Sequence, residues 1–283
     1  MVRKITSVTK KASKKKEYPE LVTEMEISIL RASTRFNVIV ANLVKEKSEK
    51  IGVNDEIGYE KFDAKELEKS ELVMYNLTNL LHDSTKLIEM VMRRSYSFQD
   101  DLQIETTLAT LANLHGEITV HNVFGNDVTE LQKALKTLEE EILKYIQFIL
   151  SKENIAKIKE NILVRLNKVM PDLDTFATIV EKTNPGLMTL RVTVRTLSSE
   201  LSNVTNKAKE KAIELKEKLT QGNGNDDLTI LISDFVELLK LTATARQLTN
   251  CIDEYFYHRN KNLGIYQFIR EITERLADSF FDM

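Results

Sequence analysis

The chain has 283 residues, 40 Lys+Arg against 43 Asp+Glu, one cysteine, eight glycines and three prolines. Average usage would put about 20 glycines and 14 prolines in a chain of this length, so turns are few and long helices are expected. These numbers exclude a disulfide scaffold, a collagen-like chain, a many-turned β-sandwich and a cysteine-rich zinc domain.

The hydrophobic share of 42% with 29% charged residues is that of a soluble globular chain. The net charge of −3 conceals an asymmetry. Residues 1–16 hold seven basic residues and no acid: Arg3, Lys4, Lys10, Lys11, Lys14, Lys15 and Lys16. The remainder, with 33 basic and 43 acidic residues, carries −10. A basic arm thus precedes an acidic body. The arm has little apolar content, so residues 1–17 are expected to be disordered when free.

The helical signal starts at Pro19, a residue tolerated in a first turn. Val22, Met25, Ile29, Ala32, Phe36, Ile39 and Leu43 step by three and four, one continuous apolar stripe. Ile27, Val38 and Val40 are expected to widen its buried face. Residues 48–62, bracketed by Gly52 and Gly58, read as a loop or small hairpin. Asp63 and Glu66 make a capping-box-like start for the next helix. There Val73, Leu77, Leu80, Leu87 and Val91 keep the period, with Ser84 as a polar gap. Met74, Leu81 and Ile88 make that helix apolar over a wide arc, so it is expected to be central.

A third helix begins near Asp100, with Ile104, Leu108 and Leu111 on one face. The stretch between Gly116 and Gly125 reads equally as a short strand or a frayed continuation. Asp127 and Glu130 repeat the capping pattern. Val128, Leu131, Leu135, Leu138, Ile142, Tyr145 and Ile149 step by three and four again. After Ser151, read as a cap, Ile155, Ile158, Ile162, Leu166 and Val169 continue, and Pro171 ends the run. A short helix over 172–183 follows, and Asn184-Pro185 reads as the next N-cap and first turn. The longest seam runs from Leu187 through Leu190, Val194, Leu197, Leu201, Val204, Ala208, Ala212 and Leu215 to Leu219. Gln221-Gly-Asn-Gly-Asn is a hinge or helix–helix loop. Leu231, Phe235, Leu238, Leu241, Ala245, Leu248, Ile252 and Tyr255 form another stripe. Asn260 to Gly264 turns the chain, and Ile265, Phe268, Ile272, Leu276 and Phe280 close it.

Catalytic patterns are missing. No two of His82, His115, His121 and His258 are four apart with a neighbouring Glu, as a zincin needs. None has Glu three residues earlier, as a di-iron bundle needs. His82-Asp83 resembles the dipeptide of the HD phosphohydrolases, but no histidine precedes it. Glu68 and Glu71 have the spacing of helical nucleotide pyrophosphatases of the MazG type, without the second acidic pair. Asn223, Asn225 and Asp227 alternate like a calcium loop, but Leu228 stands where glycine is needed. Asp226 or Asp227 as an N-cap explains those acids more simply. Cys251 reads as a small packed side chain. No catalytic residue, metal ligand or cofactor is assigned. Cys251 stands alone, which fits a reducing compartment. No run of eighteen apolar residues and no secretory signal are found, so a cytoplasmic location, or one within a virus particle, is expected.

Two terminal signals remain. The arm, Arg3 to Lys16, could neutralise several phosphates or contact an acidic protein, and it lacks an aromatic for base stacking. The last residues, Asp-Ser-Phe280-Phe281-Asp-Met, resemble the aromatic-acidic tails by which some T-even-like phage replication proteins dock on their sliding clamp. That resemblance covers about six residues and implies a partner-docking role for Phe280 and Phe281. The alternative packs Phe280 into the core of a last helix.

The expectation is an all-α protein: elongated antiparallel bundles of about eight long helices with coiled-coil-like seams. Its parts are the arm (1–17), an N-terminal bundle (18–170) and a C-terminal helical unit (171–283), with packing as one domain as the alternative. The expected function is a non-catalytic assembly or adaptor protein, such as a structural component of a virion. Its partner would be another protein or a second copy. The alternative is sequence-independent nucleic-acid binding through the arm.

Overall fold

The fold is that of a computed structural model, which describes residues 18–52, 64–92, 101–151, 155–183, 192–220 and 227–260. Seven α-helices account for the regular structure among them. In chain order they are α1 (Tyr18–Gly52), α2 (Ala64–Met92), α3 (Asp101–Val123), α4 (Thr129–Leu150), α5 (Ile155–Thr183), α6 (Val192–Thr220) and α7 (Leu228–Asn260). The protein is all-α over these residues, as expected, with no strand among them. The Asp63 cap, the Asn184-Pro185 pair, the loop after Gln221 and the stripe from Ile265 to Phe280 lie outside the described residues.

Helix α1 packs against α2 and α4, and α2 packs against α3. Helix α6 packs against α5 and α7. The first four helices meet the last three chiefly where α3 lies along α7. A continuous apolar core draws on all seven helices. The spacing explains it. In α4, Leu131, Leu135, Leu138, Ile142, Tyr145 and Ile149 are all buried, each such side chain contributing roughly 1.5–3 kcal/mol of transfer free energy. In α6, the seam from Val194 to Leu215 is buried at every predicted position. Helix α2 buries Leu72, Val73, Met74, Leu77, Leu80, Leu81 and Leu87, the wide arc of a helix with neighbours on several sides.

Several local expectations are corrected. Ile27 and Val38 are 42% and 54% exposed. The buried row of α1 is Ile29, Ser33, Phe36, Val40 and Val44. A residue two positions from a buried one lies about 200° around the helix, so it faces away from the core. The Gly116–Gly125 stretch is neither strand nor frayed: α3 runs unbroken to Val123. Gly125 ends it with φ 78°. Its N–H donates to the Asn122 carbonyl at 2.7 Å, and the Asn126 N–H donates to that of His121 at 3.4 Å, the paired closure of a glycine-terminated helix.

Pro171 does not end its helix, because α5 carries it inside a single span of 29 residues. The separate short helix over 172–183 is therefore the second half of α5. Ser151 closes α4 rather than opening α5; its N–H donates to the Gln147 carbonyl at 2.9 Å. Ile155, counted in the buried stripe, is 49% exposed in the first turn of α5. At the start of α4, Asp127 Oδ1 accepts from the N–H and hydroxyl of Thr129, at 2.9 and 2.7 Å. That is an Asx-type closure in place of a reciprocal box with Glu130. Asp227 does cap α7, accepting the Thr229 N–H at 2.9 Å.

Among the described helices, α1 contains a segment, Glu20–Glu49, long and apolar enough by length and composition to cross a membrane, with mean hydropathy 1.2. The core row of that segment is packed inside the protein, and Arg31 and Arg35 stand exposed on its outer face.

Candidate functional site

The residues singled out at the two ends of the sequence, Arg3, Lys4, Lys10, Lys11, Lys14, Lys15 and Lys16 together with Phe280 and Phe281, lie outside the described residues. Within the described helices, polar chemistry gathers where α3 meets its neighbours.

The α3–α7 crossing is built on small residues. A Cβ added at Gly116 would lie 3.0 Å from the carbonyl carbon and oxygen of Ala243 and 3.0 Å from the amide nitrogen of Thr244. The glycine therefore sets the approach of the two backbones. Beside it, Glu117 is 1% exposed. Its Oε1 accepts from the Gln247 amide at 3.4 Å, while its Oε2 has no hydrogen-bond partner among the described residues. Burial, and secondarily the like charge of Asp83, push its carboxyl well above the ordinary 4.5. Burial also raises Asp83, against the Asn113 hydrogen bond and the charges of His82 and Lys86. Cys251, the buried thiol of α7, is pushed up to about 12 by burial first and then by Glu254 and Glu117. That leaves it a thiol, not a thiolate nucleophile, at neutral pH.

One turn beyond Glu117, His121 is buried, with neither ring nitrogen partnered among the described residues. Burial, helped by the charge of Lys47, lowers it from 6.5 to about 4, so the imidazole is neutral at physiological pH. Lys47 reaches the same corner of the fold, donating to Asn126 Oδ1 at 3.2 Å.

On another face of α3, His115 Nε2 lies 2.8 Å from Glu139 Oε2 of α4, and Lys240 of α7 donates to Glu139 Oε1. Burial opposes the charge on Glu139, but the His115 and Lys240 hydrogen bonds outweigh it and hold the carboxyl at about 2. His115 is thus half-buried and hydrogen-bonded to a carboxylate of the neighbouring helix. Between α6 and α7, Asp234 accepts from Lys211 at 2.7 Å and Lys218 at 2.8 Å, and Lys218 also meets Glu214.

These clusters join helices. Among the described residues, no three His, Cys, Asp or Glu side chains come together as a metal site. A cleft of about 50 Å³ lies among α3, α4, α5 and α7, lined by apolar residues such as Ile104, Ile158 and Phe235 with Lys157 and Arg165. That is well below the roughly 300 Å³ of a small-molecule site.

Glu117, Gln247 and Lys240 were not found from the sequence. A signal for Glu117 was present: Leu114, Glu117 and His121 step by three and four along the same buried arc as Ile118. Its partners come from a helix more than a hundred residues away, which periodicity does not reveal. Comparison with protein-family models, with curated proteins and with solved structures finds no match to this chain.

Proposed function

We propose that this chain is a non-catalytic helical assembly or adaptor protein, a structural component of a larger particle such as a virion. The observation that supports it is the outer face of α1. Ile27 and Val38 stand 42% and 54% exposed there, with exposed Arg31 and Arg35 on the turns between them. Arginine is enriched at contact surfaces, and here two arginines share a helix face with exposed apolar side chains. In this reading the α4, α6 and α7 stripes are coiled-coil-like seams closed inside an elongated antiparallel bundle. The outer faces of long helices then remain for a partner or a second copy.

The test is size-exclusion chromatography with light scattering, recording absorbance at 260 and 280 nm. The expected result is a protein-only oligomer, larger than the 32.6 kDa chain, that the double variant I27D/V38D returns to monomer with unchanged helicity. A wild-type monomer at high concentration would sink the assembly reading.

A second reading rests on the basic arm, whose seven cations are followed in α1 by the exposed Arg31 and Arg35. It is sequence-independent nucleic-acid binding. A peak rich in 260 nm absorbance, lost on deleting residues 1–16 at low salt, is its expected signature. Binding that survives the deletion rules out the arm as anchor.

A further inference from the structure

We propose that the α3–α7 crossing is a proton-controlled joint: neutral Glu117 keeps it closed, and ionised Glu117 loosens it. Glu117 is 1% exposed, one residue from the glycine at which the backbones meet. Among the described residues, its polar contact is an uncharged amide at 3.4 Å, and its second oxygen has no hydrogen-bond partner. An ionised carboxylate in such a place is strongly disfavoured unless a cation or strong donors compensate it.

Among the described residues, the neighbouring elements offer no such compensation. From α2 the acting group is Asp83, an acid, with His82 and Lys86 near Asp83 itself. From α7 come Gln247 and the Cys251 thiol, the latter near Glu254. Lys240 of α7 and His115 of α3 are engaged with Glu139 of α4. The buried polar residues of α6 are the neutral Ser198 and Thr205. His121, one turn along α3, is itself held neutral.

The sign follows from proton linkage. The closed joint holds a proton that the open, hydrated carboxyl releases. Closure is therefore favoured at low pH and weakens as pH rises above the ordinary 4.5, up to the raised value. In that window the open-to-closed ratio grows by up to about tenfold per pH unit. His121 works in the opposite direction, but only between 6.5 and about 4. Cys251 enters only above its ordinary 9.0. The part of the pH dependence that belongs to Glu117 is therefore the part above 4.5 that E117Q removes. The joint lies where the first four helices meet the last three, so loosening it would change how the two groups sit together.

The experiment is hydrogen exchange by mass spectrometry on the full chain and on its E117Q variant at pH 4.5–8.5, with rates corrected for intrinsic pH dependence. Relative to E117Q, wild-type peptides from 108–123 and 238–252, normalised to 131–149, should gain exchange with rising pH above 4.5, by up to about tenfold per pH unit. A wild type without the rise, or the same rise in E117Q, overturns the proposal. D83N keeps the carboxyl in place and tests the same joint if E117Q folds poorly. Removing the like charge should lower the pH at which the rise levels off, and a levelling-off that stays put or moves upward also overturns the joint.

Discussion

Gly116 sets the distance between two helices by having no side chain. Two effects compete when it becomes alanine. Helix propensity favours alanine by about 1 kcal/mol, while crowding in a packed interface costs about 1–3 kcal/mol. Crowding should win, because the atoms a Cβ would meet at 3.0 Å are backbone atoms of Ala243 and Thr244, which cannot rotate aside. Gly116→Ala should lower the urea midpoint, by an amount equivalent to about 1–2 kcal/mol. An unchanged or higher midpoint would mean that α3 and α7 can spread at little cost. Gly125 is required for a different reason: its φ of 78° closes α3 and is disfavoured for a residue with a Cβ.

Helix α5 shows how an element overrides a local breaker. Proline removes one backbone donor and crowds the preceding turn, at about 3 kcal/mol in a helix interior. Yet α5 continues past Pro171 to bury Leu173 and Phe176. Burial of those two side chains offsets the break. Its outer ion pairs are too exposed to do so: Arg246–Asp172 has side chains 51% and 46% exposed, a class worth about 1 kcal/mol or less. Pro171 itself is exposed. Pro171→Ala should therefore raise stability by about 1–3 kcal/mol in chemical denaturation. A loss of stability would mean that the packing of α5 needs the bend that proline imposes.

At the scale of the molecule, Glu139 ties three helices together: its own α4, α3 through His115 and α7 through Lys240. Its carboxyl is held at about 2, below the ordinary 4.5. A depressed value contributes stability that is complete above 4.5 and lost as pH falls toward 2. Glu139→Gln should cost about 1–3 kcal/mol at pH 7. It should also remove that part of the acid dependence from the wild-type curve. Wild-type and variant denaturation midpoints that stay parallel from pH 6 to pH 3 would show that the ionised Glu139 contributes nothing to the acid dependence. The two buried groups of α3 act at higher pH and in opposite senses, Glu117 weakening the fold as pH rises and His121 weakening it as pH falls.

The helical class, the seams of α4, α6 and α7 and the Asp227 cap were all legible in the residues. Each is a local rule: a period of 3.6, a short polar side chain before a helix, and few glycines and prolines to interrupt. The same rules misplaced Ile27 and Val38, because an apolar identity was read without its angle around the helix. They stopped a helix at Pro171, because local geometry cannot weigh a break against burial further along. They could not place Glu117, Gln247, His115, Glu139 and Lys240 together, because these side chains meet across elements distant in the chain. By itself the sequence determined that apolar stripes would form helices and pair. Only the tertiary structure decided which stripes paired, since any two such faces bury comparable area. It also decided where a glycine lets two backbones meet, and which polar side chains were thereby shut in without charged partners.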